Sequence, residues 1–150
     1  MYTTVLIVHS WIRWVALVAA VGTVLAALRQ RDASVDRWGM IAMTMLDLQM
    51  LIGLILYLAL SPNMAAIMNN FGGAMKDPVA RFWAVEHITA MMLAVIAAHV
   101  GRVLARKAAT ADAKRKRILV AFSVAVILMF AGMPWPGRAG GRPLFRGIGN

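Results

Sequence analysis

Three histidines stand in a chain that is 61% hydrophobic, and two of them, His9 and His87, fall at matching depth in its pattern. Hydrophobicity marks four membrane-length runs, near 4–28, 38–60, 79–104 and 118–133. A chain that crosses four times brings the starts of its first and third helices to one face. His9 lies five residues past the start of its run and His87 eight past its own. At about 1.5 Å per residue, both sit roughly 8–12 Å below that face. Two imidazoles at one depth on two helices of a bundle can ligate a flat metallo-macrocycle between them. The spacing therefore predicts a metal site at His9 and His87 that holds one haem b between the first and third helices.

Helical phase agrees with this pairing. At about 100° per residue, Ala90, Ala94, Ala98, Gly101 and Ala105 continue the face of His87, and Arg13, Ala16, Ala20, Thr23 and Ala27 continue that of His9. Stripes of small side chains let membrane helices approach closely whether or not a ligand lies above them. Arg13 falls one turn below His9, inside the hydrocarbon, where a guanidinium needs a partner. A haem propionate would supply one, and so would Glu86 in a plain ion pair. Arg81, nearer the surface, is a second propionate candidate or a snorkelling anchor. On the other half, Asp47 and His99 also match in depth. They could form a structural hydrogen bond, a proton-active pair, or a polar corner for a quinone with Gln49 close by. His99 is turned about 120° from His87 around the helix and cannot serve the same metal.

The elements that must position these residues follow from composition. A mean hydropathy of +0.72 is too apolar for a soluble domain. Long continuous apolar runs suit helices, which satisfy their own backbone in lipid. The expected fold is all-α, an integral membrane four-helix bundle over residues 1–134, with 135–150 as an extramembrane C-terminal tail. The fourth run is the shortest span.

Charge sets the orientation. Ten basic residues (Arg29, Arg31, Arg37, Arg102, Arg106, Lys107, Lys114, Arg115, Lys116 and Arg117) fall on one face. Five (Lys76, Arg81, Arg138, Arg142 and Arg146) fall on the other. The positive-inside rule then makes both termini external, that is periplasmic, in a bacterial inner membrane. MYTTVLIVHS lacks a basic start and is not a secretory signal. The net charge of +10 belongs to flanking anchors that meet the lipid bilayer, so no nucleic acid is expected. Trp11, Trp14, Trp83 and Trp135 gather externally, as an aromatic belt or as walls of a site. The absence of cysteine excludes c-type haem attachment, cysteine-ligated clusters and thiol catalysis. No phosphate-binding glycine loop, serine nucleophile motif or HExxH occurs.

The connections carry less. Ser61-Pro62 closes the second helix and Asp77-Pro78 opens the third. Between them a short helix and turn should lie along the external interface, or cover the site. The cytoplasmic stretch ATADAKRKR needs no role beyond orientation. The tail, rich in proline and glycine, cannot form a core of its own. Left free, it would be disordered. Its cations and the Leu144–Phe145 pair instead predict that it runs over the bundle or docks on a partner, with Phe145 buried. Truncation after Trp135 would then loosen assembly and leave the haem site intact.

HSWIRW (9–14), LQMLIGLILYLALSP (48–62), MKDPVARFWAVEHITAMMLAVIAAHVG (75–101) and MPWPGRAGGRPLFR (133–146) resemble a family of small bacterial four-helix membrane proteins. These are frequent in Bacteroidetes-type genomes and often labelled cytochrome b. The resemblance covers most of the chain and implies haem ligation by His9 and His87. Two functions follow as expectations. The first is a b-type cytochrome-like electron-transfer protein, or such a subunit of a respiratory or photosynthetic membrane complex, with other membrane subunits as partners. The second is a non-redox accessory subunit that packs against larger partners and holds a lipid or pigment. A free-standing enzyme is the weaker expectation, since no substrate pocket can be named.

Overall fold

The computed structural model describes residues 1–147, and its elements are all helical, with no strand among them. The helices are α1 (Tyr2–Leu28), α2 (Asp32–Leu60), α3 (Pro62–Asn69), α4 (Phe71–Ala74), α5 (Pro78–Arg106) and α6 (Ala111–Gly132). Three of them, α1, α2 and α5, are long and apolar enough to cross a membrane.

Helices outrun the hydrophobic runs that signal them. Helix α2 begins at Asp32, ahead of Trp38, and α6 at Ala111, ahead of Ile118. Hydropathy reports where lipid can lie, whereas helix geometry continues wherever polar ends are capped or paired. Thr110 caps α6 by accepting from the Ala113 amide at 3.1 Å, and Asp77 caps α5 from Ala80 at 2.7 Å, ahead of Pro78. Ion pairs then hold the charged ends together. Asp36 receives Arg102 and Lys114, Asp32 receives Arg115, and Asp112 receives Arg115 and Lys116. The short stretch expected only to orient the chain is thus tied to α2 as well.

Tight reversal joins α1 to α2. The Arg31 amide donates to Ala26 and that of Gln30 to Ala27, with Gln30 in the left-handed region at φ 55°. A side chain there costs about 1 kcal/mol that glycine does not. Gln30→Gly is therefore expected to raise stability by about 0.5–1 kcal/mol. Thermal melting in detergent measures it, and a lowered melting temperature would contradict the strain.

Small residues make the core. Ala16, Ala20, Thr23 and Ala27 of α1 are buried, as are Ala94, Ala98, Gly101 and Ala105 of α5. Ile118, Phe122, Ala125 and Met129 of α6 fill the space between them. Helix α1 packs along α2, α5 along α6, and α1 against α6. Helices α2 and α5 meet far less, which leaves a seam between them. At one end the Tyr57 hydroxyl bridges the seam, donating to the Ala84 carbonyl at 2.8 Å. Elsewhere along it, His99 Nε2 meets Asp47 Oδ1 at 2.7 Å. Both α2 and α5 loosen into single π-helical turns, Leu56–Leu60 and Phe82–Glu86, and Tyr57 links one turn to the other. Such turns are frequent at functional sites.

Candidate functional site

His9 stands on the third turn of α1, and His87 immediately follows the π-helical turn of α5. Their ring centres lie 6.5 Å apart with planes at 74°. His87 Nδ1 is 2.7 Å from the carbonyl of Gly132. That carbonyl, at the end of α6, has no amide of its own helix to receive, and it can only accept. Nδ1 is therefore the protonated nitrogen, and in the neutral ring Nε2 keeps its lone pair. His9 Nδ1 is buried and has no hydrogen-bond partner among the described residues.

Neighbours surround both histidines. Gln49 Nε2 donates to the His9 carbonyl at 2.9 Å. Gly53 of α2 faces the ring edge, where a Cβ would lie 3.1 Å from His9 Cε1. Trp83 and Phe82 stand 5.4 Å and 5.9 Å from the His87 ring. Two cavities adjoin the pair, about 100 Å³ toward α2 and α3 and about 50 Å³ toward α6 and the tail. Both are lined by His9, His87, Gln49, Trp83, Met91 and Arg142. They are slots, narrow and mostly apolar.

The tail forms one wall of the smaller slot through Arg142, Pro143 and Arg146. Its carbonyls are what hold it. Arg13 Nη2 and Trp14 Nε1 both donate to Leu144, at 2.7 Å and 3.1 Å, and Trp11 Nε1 donates to Arg146 at 3.0 Å. Phe145 stacks on Trp14 and leans on Trp11, with ring centres 5.5 Å and 5.6 Å away. The Arg142 guanidinium lies over Trp83 at 4.3 Å.

Several expectations change here. Phe145 is not buried: it remains 59% exposed, because it lies flat across surface indoles above a core already filled by small residues. Arg13 does not pair with Glu86. It reaches Leu144, keeps a buried Nε without partner, and lines the smaller slot. Glu86 instead binds Arg81 at 2.8 Å, both about half exposed, and Arg81 lines neither slot. Gln49 serves His9, leaving Asp47 and His99 as an outward-facing pair, 50% and 44% exposed. Arg142 and Arg146 were not singled out as site residues. Their only signal was a cluster of cations in the segment expected to cross the external face.

Truncation after Trp135 thus removes a wall of the site and is not neutral to it. The indoles of Trp11 and Trp14 would lose their acceptors and their cover. Tryptophan emission should shift to longer wavelength and become accessible to an aqueous quencher. Unchanged emission would mean that the tail does not stay docked.

No family model, curated protein or solved structure matches this chain.

Proposed function

We propose that the chain is a membrane b-type cytochrome-like electron-transfer protein, or such a subunit of a respiratory or photosynthetic complex, with one haem b between α1 and α5. The His9–His87 pair is the observation that carries it. Two imidazoles on opposite sides of one metal, each bonded at about 2 Å, have ring centres roughly 6 Å apart. The pair here is 6.5 Å apart. Among the described residues, no group of three or more histidine or carboxylate side chains could hold a metal ion. A bare ion would be undersupplied by two nitrogens, whereas a haem would bring most of its iron's donors itself and need only His9 and His87 from the protein. The unpartnered Nδ1 of His9 and the lone pair left on Nε2 of His87 suit that demand.

Bound there, a haem supplies reversible one-electron transfer. The chain's own residues do the rest. Gly132 holds the His87 tautomer and ring, a support that ligating histidines commonly have. Arg13 and Arg142 present positive charge to the smaller slot, as anionic propionates require. Met50, Met64 and Met91 line the larger slot and Met129 and Met133 the smaller, giving flexible walls that adapt to a flat group. Trp83 and the tail exclude water at the outer edge.

Helix α6 serves as the fourth span, completing a bundle with both termini on the periplasmic side of a bacterial inner membrane. The excess of basic residues at the opposite end supports that orientation. Partner membrane subunits take or give the electron, and a quinone would meet the outward Asp47–His99 pair. The resemblance of HSWIRW and RFWAVEH to the cytochrome b-like family points the same way. A reduced-minus-oxidised absorption spectrum of the purified protein tests the proposal. A b-type band is expected. Its absence from folded protein supplied with haem would favour the non-redox accessory subunit.

A further inference from the structure

The end of the molecule away from the histidines holds a concavity of about 590 Å³, walled by the start of α2, the end of α5 and the start of α6. Asp36, Met40, Arg102, Arg106, Thr110 and Lys114 line it. We propose that it binds the phosphate headgroup of an anionic membrane phospholipid. The proposal is independent of the histidine site and needs only that α2 and α5 cross a bilayer.

Charge is the first support. This end carries ten basic side chains against Asp32, Asp36 and Asp112. Within the concavity one carboxylate, Asp36, is shared by Arg102 at 3.3 Å and Lys114 at 2.7 Å. Arg106 has no ion pair or hydrogen bond from its side chain among the described residues. The Arg102 side chain is only 12% exposed, and its Nε is buried without a partner. Three cations and one anion leave the hollow with an excess positive charge of two. Helix α6 also begins at its rim, adding the partial positive charge of a helix N-terminus.

Position selects the ligand. A soluble anion would need only the cations, yet the concavity sits where two apolar helices end. Met40 on its wall is 62% exposed, and Val103, next to Arg102 on α5, is 48% exposed. Those side chains offer acyl chains an apolar track beside the polar hollow. Basic pockets between helices at the cytoplasmic face suit anionic headgroups for this reason.

Native mass spectrometry of the full chain in neutral detergent can test the assignment. Phosphatidylglycerol and phosphatidylcholine with identical acyl chains would be titrated against it, with inorganic phosphate as competitor. Phosphatidylglycerol should bind about tenfold more tightly or better, since each basic residue near an anionic surface contributes about fivefold. Arg106→Gln, which breaks no ion pair, should reduce that preference about fivefold. Arg31→Gln, on the same face but outside the concavity, should leave it unchanged. Equal binding of the two lipids would overturn the proposal. So would an equal loss in Arg31→Gln, which means diffuse attraction, or full displacement by inorganic phosphate, which means a soluble-anion site.

Discussion

Replacing either His9 or His87 by alanine is expected to abolish the low-spin haem spectrum of the purified protein, while His99→Ala leaves it in place. In the proposed site each of the pair would supply one nitrogen to the haem iron, and no third histidine or carboxylate joins them among the described residues. His99 is engaged with Asp47 on the outer surface. The two alanine variants should differ in stability without haem. His87→Ala leaves the Gly132 carbonyl without its donor, a loss of about 1–3 kcal/mol for a buried acceptor. His9→Ala removes a ring nitrogen that has no partner to lose. Circular dichroism and melting in detergent, measured beside the absorption spectrum, separate ligand loss from unfolding. A spectrum that survives both substitutions, or vanishes only in His99→Ala, would refute ligation by this pair.

The second large effect lies at Gly132, whose missing side chain lets α5 and α6 close beside the site. A Cβ there would come within 2.6 Å of both Ala90 Cβ and Met91 Cε. The methionine end can swing away, but the alanine can yield only by moving its backbone. Gly132→Val should therefore part the two helices at a cost of about 1–3 kcal/mol or more. It should also draw the carbonyl away from His87 and perturb the haem band. Gly101→Val meets the same obstacle far from the site, against Ala121, and provides the control. It should lower the melting temperature and leave the band unchanged. If both variants melt like the wild type, the helices have room that this packing denies. If both alter the band equally, general loosening and not the Gly132 contact is responsible.

Sequence alone determined the helical character of the chain and the small stripes that bring α1 and α5 into the core, and its spacing singled out His9 and His87 as a pair. Those features are local or periodic: apolar runs, the cap at Asp77, and alanines three or four residues apart each act within one helix. The tertiary structure decided the partners. Arg13 could have met Glu86 by depth, yet the tail placed a carbonyl within its reach and Arg81 stood closer to Glu86 along the chain. The acceptor for His87 comes from a residue with no polar side chain, 45 positions away. Main-chain carbonyls are the same in every residue, so composition cannot reveal which one is left free by a helix end. Nor could spacing reveal the weak contact between α2 and α5, because exposed apolar residues line several faces of each helix and only packing chooses which faces close. Arg142 reached the site in the same way, carried over Trp83 by a tail whose course depends on indoles of two distant helices.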